Sequence, residues 1–542
     1  MALFEVTDLT VTLQPRTRPD PHREVRAVES FSFAVAEGQT LAIVGESGSG
    51  KSVSLLAATR LLGAGATVTG SVRFRDTELL TLPPRALRRI LGKDIGFVFQ
   101  DPQSNLHPFK TVGAQIDEVL RVHRYGNRSA RRDRVMALLD EVGIAEPDRA
   151  YGSYPAEFSG GMRQRVMIAI AIALDPALVI ADEPTTALDV SVQAGILRLL
   201  KRLQRDHGTA IVFVSHDLGV VHEIADTVTV VRDGTVVEAG PRDRVYAAPE
   251  QRYTRELLTA ARLHDIGTPS AAPPPSDDTE ALLRVTGLRK SYRDRTRRDR
   301  RTVVDGLDFT VRPGEVVALV GESGSGKSTV GRIVAGLQYA DAGEITLAGT
   351  RYPTAVDDGV PPLAVATRRA VQLVFQDPYA SLNPRRTIAQ SLAEPLRAQR
   401  VAGPLIAPRV RQAADAARLP AGLLDRHPGE LSGGQRQRAA IARALVLSPR
   451  LIVADEALSA LDVTTQAEIL ALIRTLVTEQ HTAFLFITHD LGVVSTLAHR
   501  VIVLGPDGFE ESGSTAEVFG APRSAYTRSL LDAVPRVKAY AS

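Results

Sequence analysis

The sequence contains no cysteine and no tryptophan in 542 residues. Without a thiol it forms no disulfide, no thiolate zinc site and no cysteine-ligated iron–sulfur cluster, so any metal must be held by oxygen or imidazole. Long apolar runs are missing as well. Val166 to Leu174 stops at Asp175, well short of the roughly 20 residues that cross a bilayer, so no membrane span is expected. The opening Met1-Ala-Leu-Phe-Glu5 has neither a basic head nor an apolar core, which argues against a secretory leader and for a cytoplasmic location. Charge of one sign is also lacking: 65 basic residues face 62 acidic ones for a net +3, and no global basic field points to nucleic acid. What is present, 44% hydrophobic and 23% charged residues, belongs to a globular chain with material for more than one core.

A repeat sets the architecture. Gly45-Glu-Ser-Gly-Ser-Gly-Lys51-Ser52 returns as Gly321-Glu-Ser-Gly-Ser-Gly-Lys327-Ser328, an offset of 327 − 51 = 276. Phe97-Val-Phe-Gln100 and Leu373-Val-Phe-Gln376 keep that offset, 376 − 100 = 276. Beyond them the offset becomes 273, as in 432 − 159 for Ser-Gly-Gly, 455 − 182 for Ala-Asp-Glu, 489 − 216 for His-Asp and 526 − 253 for Tyr-Thr-Arg. The chain is one domain duplicated. Between the copies, residues 265–280 are rich in proline and small polar residues and predict an extended connector. The expected organisation is therefore a first domain at 1–264, a linker at 265–280 and a second domain at 281–542.

Within each copy, Val- and Ile-rich runs such as Leu41 to Gly45 and Ala177 to Ala181 alternate with helical patterns, the mark of buried parallel strands in an α/β core. Val68 to Phe74 and Ile345 to Leu347 alternate like antiparallel strands, while Arg131 to Val142 and Arg409 to Ala417 predict amphipathic helices of a small helical subdomain.

The G-x-x-x-x-G-K-S stretches follow apolar strands and precede helices. Gly45, Gly48 and Gly50, with Gly321, Gly324 and Gly326, let backbone amides turn inward around phosphate oxygens at a helix N-terminus, Ser47 and Ser323 lying in the same loops. Lys51 and Lys327, in a chain with few lysines, would neutralise the β and γ phosphates. Ser52 and Ser328 would offer hydroxyls to Mg²⁺, with Val53 and Thr329 next in line. A Gly-rich structural turn is the bland alternative, and strand, helix and second copy argue against it. After the strands at 177–181 and 450–454, Asp182 and Asp455 are candidate Mg²⁺ holders, and Glu183 and Glu456 candidates to polarise an attacking water. His216 and His489 each lie 33 residues beyond those glutamates, at a strand end, and are assigned to the γ-phosphate.

With phosphate loop, Gln100 and Gln376, Ser-Gly-Gly, Asp-Glu and His in this order twice, the chain resembles the ATP-binding-cassette (ABC) ATPases over nearly its whole length. The resemblance implies two tandem P-loop NTPase (RecA-like) nucleotide-binding domains, each with an antiparallel β subdomain and a helical subdomain, using ATP and Mg²⁺. Leu431-Ser-Gly-Gly-Gln435 looks like the family signature, and Phe158-Ser-Gly-Gly-Met162 is a variant of it. By resemblance, two ATP molecules lie between the halves. Lys51 would share one with Ser432, Gly433, Gly434 and Gln435, and Lys327 the other with Ser159, Gly160 and Gly161. Gln100 and Gln376 would reach Mg²⁺ and water, and Asp189 and Asp462 would carry contact between the sites. Tyr292 fits the adenine-stacking aromatic; its equivalent in the first copy, Leu13, offers no ring. Ala457 replaces the Pro184 that follows the first catalytic glutamate, but both glutamates are intact and two hydrolytic sites are expected.

A finer resemblance, to the dipeptide and oligopeptide importer ATPases, rests on Gln100-Asp-Pro-Gln-Ser-Asn-Leu-His-Pro108, Gln376-Asp-Pro-Tyr-Ala-Ser-Leu-Asn-Pro384, Arg252-Tyr-Thr-Arg-Glu-Leu-Leu258 and Ala525-Tyr-Thr-Arg-Ser-Leu-Leu531. It implies a peripheral motor on the cytoplasmic face of the membrane, partnered by two transmembrane permeases and an extracytoplasmic binding protein. The same branch takes up nickel complexes and glutathione, and many members carry a cysteine-bound iron–sulfur cluster that this chain cannot have. A ribosome-associated twin cassette is the other class weighed; its long charged helical linker is not matched by 265–280. DNA-repair cassettes carry large insertions and cysteine-bound zinc, both missing here. The basic runs Arg293 to Arg301 and Arg121 to Arg134 predict solvated surface first and contact with anionic lipid heads second.

Overall fold

The computed structural model describes residues 2–14, 24–63, 65–186, 188–262, 279–293, 300–352, 363–458 and 461–535. The chain divides into two compact units, one running through Arg262 and the other ending at Val534. The connector expected at 265–280, all but its last two residues, and the centre of the basic run at 293–301 lie outside the described residues.

Each unit is built on a six-stranded sheet. In the first, the spatial order is Thr235–Pro241, Thr227–Arg232, Thr40–Val44, Ala210–Ser215, Leu178–Asp182 and Ile95–Val98. Only the hairpin of the first two is antiparallel; the remaining neighbours pair in parallel. Thr40–Val44, Leu178–Asp182 and Ala210–Ser215 are buried at every position. That is why these strands read as unbroken apolar runs, because parallel strands covered on both faces have no wet side to alternate with. The second unit repeats the order with Gly508–Ser514, Arg500–Gly505, Val316–Gly321, Ala483–Ile487, Leu451–Asp455 and Val371–Val374.

A four-stranded antiparallel sheet packs beside each core. Ala2–Leu13 pairs with Val25–Ala36 on one side and Ala66–Phe74 on the other, and Leu283–Arg293 does the same with Arg300–Val311 and Ala342–Leu347. Here burial alternates, and Phe31, Phe33 and Val35 point into a cluster that includes Leu41 and Ile43 of the core sheet. The helical subdomain contains Val112–Val122 and Arg128–Glu141 in the first unit and Ile388–Ala398 and Gly403–Ala416 in the second. Arg128–Glu141 starts three residues before the position expected from its apolar pattern because Asn127 caps it, accepting from the Ala130 amide at 3.0 Å. Gly403–Ala416 starts six residues early and carries Pro408 inside the helix, so the proline that reads as a boundary is absorbed. Within the basic run of the first unit, Arg131 pairs with Asp117 at 2.7 Å and Arg134 with Asp175 at 2.6 Å, which uses charge that a lipid surface would need. Among the described residues no helix is long and apolar enough to cross a membrane.

The copies differ at a buried carboxylate. Glu315, fully buried, accepts from the Arg312 amide at 2.7 Å and pairs with Arg500 at 3.2 Å. Its counterpart in the first copy is Gln39, which accepts from the Ala36 amide at 3.0 Å, and the counterpart of Arg500 is Thr227. The turn is the same, but the side chain that closes it is a carboxylate in one copy and an amide in the other. Removing the cation alone leaves a buried carboxylate uncompensated, so Arg500→Thr is expected to destabilise the second unit by about 3–5 kcal/mol in urea unfolding. Adding Glu315→Gln, which removes the buried carboxylate and restores the residues of the first copy at both positions, is expected to recover most of that loss; a double variant as unstable as the single would contradict this account.

Candidate functional site

In both units the carboxyl ends of the parallel strands converge on one place. The central strand ends at Val44 or Gly321 and the chain enters the glycine-rich loop. Gly45 has φ 156°, and a Cβ there would lie 2.1 Å from the Val231 carbonyl oxygen; at Gly321 the same atom would meet the Leu504 oxygen at 2.0 Å. Gly50 (φ 93°) and Gly326 (φ 98°) make the left-handed turn into the helices Lys51–Ala58 and Lys327–Val334. Gly48 and Gly324 have positive φ and open space around them, which leaves backbone room for a phosphate to approach.

Lys51 is 95% buried, and its Nζ donates to the carbonyls of Gly45 and Glu46 at 2.8 and 2.7 Å. Lys327 donates to Gly321 and Glu322, both at 2.7 Å. The ammonium is thus held across the mouth of its own loop. Ser52 Oγ donates to Asp182 Oδ1 at 2.8 Å and Ser328 Oγ to Asp455 Oδ1 at 2.9 Å, so the two Mg²⁺ candidates of each unit are already side by side. Burial pushes Asp182 up to about 6, with Glu183 adding to the rise against Ser52 and Lys51, and burial raises Asp455 likewise. A cation that favours the ionised form fits such a carboxylate. No cluster of three His, Asp or Glu side chains forms among the described residues, and one carboxylate with one hydroxyl suits Mg²⁺, which is commonly completed by water and substrate phosphates.

Next to each aspartate stands its glutamate. Glu183 and Glu456 have φ 45° and 48°, the left-handed region, and their amides are tied to the neighbouring strand through Val214 O at 3.1 Å and Ile487 O at 2.8 Å. Gln100 donates to Glu183 at 3.0 Å and Gln376 to Glu456 at 2.5 Å. His216 Nδ1 lies 3.4 Å from Glu183, and His489 Nδ1 lies 3.5 Å from Glu456. Burial alone would raise Glu183, but the hydrogen bond and charge of His216, with Thr186 and Lys51, outweigh it and hold the carboxyl at about 2. Glu456 is lowered in the same way by His489 and Lys327 against its burial. Each site therefore keeps a buried, ionised carboxylate gripped by a glutamine and a histidine. Thr186, which donates to Glu183 at 2.9 Å, had no signal of its own in the sequence beyond standing three residues after the glutamate.

Ser159 and Ser432 cap the helices Gly160–Ala171 and Gly433–Leu445, each accepting from the amide three residues on at 3.3 Å. Gln435 returns a bond to the Ser432 amide at 3.1 Å; Met162 has no acceptor with which to do so. A Cβ on Gly160 or Gly433 would meet Leu188 or Leu461 at an ordinary 3.9 Å, whereas a Cβ on Gly161 would lie 2.4 Å from Val192 and one on Gly434 2.5 Å from Thr465. Asp189 and Asp462 begin the helices Val190–His207 and Val463–Gln480, and Asp462 accepts from the Thr465 amide at 2.9 Å.

Tyr292 is 40% exposed, and its hydroxyl is 3.2 Å from Thr329 Oγ1, two residues into the helix that follows the loop. Leu13 and Val53 stand at those places in the first unit and pack partly against its core. The ring and its hydroxyl partner are replaced together by two aliphatic side chains.

Residues 28–186 and 304–459 match the ABC transporter family, and residues 511–542 match the C-terminal region of oligopeptide/dipeptide transporters. The peptidoglycan transport ATP-binding protein YejF of Agrobacterium fabrum is 42% identical over 523 residues, covering 95% of this chain and 94% of that protein. The glutathione import ATP-binding protein GsiA of Escherichia coli K12 is 42% identical over 547 residues, covering 95% of this chain and 87% of its own. Among solved structures, a dimeric post-hydrolysis state of the ATP-binding cassette MJ0796 with ADP and Pi aligns at 30% identity and TM-score 0.40, covering 44% of this chain and 98% of that one.

Base stacking on an aromatic ring contributes about 1–3 kcal/mol. In a Lys51→Ala background, which isolates the second loop, Tyr292→Ala is therefore expected to weaken MgATP binding about fivefold or more in equilibrium titration. Unchanged affinity would remove Tyr292 from the nucleotide site.

Proposed function

The chain belongs to the ABC transporter family, and on that footing we propose that it is the ATP-hydrolysing motor subunit of an importer for peptide-type solutes. The observation that carries the catalytic assignment is the ionised glutamate set beside the phosphate-loop lysine, with glutamine and histidine on it, in both units.

In this reading the loop amides and Lys51 or Lys327 bind the β and γ phosphates, and Ser52 with Asp182, or Ser328 with Asp455, holds the metal. Mg²⁺ held there would offset the negative charge that develops on the phosphate oxygens. Glu183 or Glu456 accepts a hydrogen bond from the attacking water and takes its proton as the water oxygen bonds to the γ phosphorus and the bond to ADP breaks. A carboxylate held at low pKa is a weak base, so its contribution is positioning and electrostatics more than proton affinity. His216 and His489 orient that carboxylate and reach the γ-phosphate; Gln100 and Gln376 link it to the metal and the water.

The signature serines and glycines are proposed to complete the site of the opposite unit, Ser432 to Gly434 with Lys51 and Ser159 to Gly161 with Lys327. Asp189 and Asp462 lie beside them on the helices that follow. Two permeases and an extracytoplasmic binding protein are the proposed partners, with the chain acting at the cytoplasmic face of the membrane. The peptide assignment draws on the oligopeptide/dipeptide C-terminal region and on relatives named for peptidoglycan and glutathione transport, all of which concern compounds that contain peptide bonds. Glutathione itself, as in the second relative, stands beside oligopeptides as a specific alternative, and nickel complexes remain the other cargo of the branch.

Glu183→Gln and Glu456→Gln are each expected to lower ATP turnover about a hundredfold at the altered site while MgATP still binds. Full turnover in either would take that glutamate out of the mechanism. The tagged double variant, purified in mild detergent with ATP, is expected to carry two multi-span permeases identifiable by mass spectrometry. Ribosomal proteins in their place would overturn the transport reading and leave the ATPase chemistry.

A further inference from the structure

The helices Arg252–Arg262 and Ala525–Asp532 lie far along the chain from the phosphate loops, yet each places one side chain on a loop. The Glu46 amide donates to the Tyr253 hydroxyl at 3.2 Å, and the Glu322 amide donates to the Tyr526 hydroxyl at 3.2 Å. The contact recurs at the same distance in two units of different sequence. The partner group matters more than the distance. The peptide plane whose N–H meets Tyr253 is the one whose carbonyl, Gly45 O, receives Lys51 Nζ at 2.8 Å; in the second unit Gly321 O receives Lys327 Nζ at 2.7 Å. One rigid plane is therefore held at both ends. Rotating it to release the tyrosine would swing the carbonyl away from the lysine.

The tyrosines are themselves anchored. Glu238, on the strand Thr235–Pro241, is 94% buried and accepts from the amides of Glu250 and Gln251 at 3.0 and 3.1 Å. Glu511, on Gly508–Ser514, accepts from Arg523 and Ser524 at 3.0 and 3.2 Å. Burial opposes ionisation of both, but these amides, with the charges of Arg244 and Arg523 nearby, outweigh it and keep both carboxyls below their ordinary value. Each carboxylate fixes the turn from which the tyrosine helix begins. Arg232 also lies over the Tyr253 ring, 4.8 Å from its centre. An anchored turn and an oriented ring leading to one loop amide make a strut, more than surface packing requires.

We propose that Tyr253 and Tyr526 are positioning residues for nucleotide binding: their hydroxyls fix the first peptide plane of each phosphate loop and so set the place of the loop lysine. The inference rests on the ATPase reading of these loops and adds to it a role for the C-terminal segment of each unit. Neither tyrosine touches the nucleotide in this scheme; each acts through Lys51 or Lys327.

The test uses the full chain with Lys327→Ala, so that only the first loop binds, and compares it with the same chain carrying Tyr253→Phe, which keeps the ring and removes the hydroxyl. A single uncharged hydrogen bond predicts MgATP affinity lower by about two- to tenfold. Amide exchange in residues 42–50 should quicken, and the melting temperature of the nucleotide-free protein should stay within about 2 °C. Lys51→Ala with Tyr526→Phe gives the mirrored measurement. Unchanged affinity and exchange, with the parent binding MgATP normally, would overturn the positioning role alone. A lower melting temperature with unchanged affinity would likewise overturn it, assigning the hydroxyl to stability. A wild-type chain that binds no MgATP would overturn the ATPase reading and this inference with it.

Discussion

Each unit depends on a few residues of backbone that must leave a buried strand, turn back and begin a helix while keeping their amides available. No side chain fits at the first step, because the strand alongside already puts a carbonyl oxygen 2.1 Å from where a Cβ of Gly45 would be. Glycine is needed there by crowding, at Gly50 by a left-handed turn, and at Gly48 by the openness a ligand requires. Three different reasons select the same residue within six positions. The sheet order follows from this need, since a central parallel strand with neighbours on both sides brings the aspartate, glutamate and histidine strand ends to the same edge.

Duplication supplies an internal control on which details that arrangement tolerates. An ion pair in one copy is replaced by two uncharged residues in the other; a tyrosine with a threonine partner becomes leucine with valine; a closed capping box becomes a half-closed one. The glycines of the loop, the Ser–Asp contact, the glutamine and histidine on the glutamate, and the tyrosine on the loop amide do not vary. The differences fall at Tyr292, at the cap of the signature helix and in the scaffold, and the constant features surround the glycine-rich loop. Both units thus present the same side chains around that loop.

Much of this was legible in the sequence. The α/β core, the antiparallel and helical additions and the family follow from apolar strands, a phosphate-loop spacing and a repeat register, because each is a local pattern with one structural meaning. The glutamate, glutamine and histidine of each site could be placed in one active region by order, and the structure brings them within hydrogen-bonding range. Other parts were not legible. Thr186 on Glu183 depends on a side-chain rotamer, and Tyr253 on Glu46 joins positions 253 − 46 = 207 residues apart through a hydroxyl that carries no periodicity. Helix starts were displaced because a cap such as Asn127 lies upstream of the first apolar residue, and Pro408 shows that a breaker in a pattern can be accommodated in a formed helix.

Gly161 and Gly434 bear on how force travels. With less than 2.6 Å between a Cβ at either glycine and the next helix, the signature helix and the helix that begins at Asp189 or Asp462 lie flush along their contact. Close-packed surfaces of this kind have no slack in which to absorb a small displacement. A push felt at Ser159 or Ser432 must then reappear at Asp189 or Asp462 nearly undiminished, as in a lever with a welded joint. Whatever moves the signature serine is thereby handed on to the carboxylate at the start of the following helix.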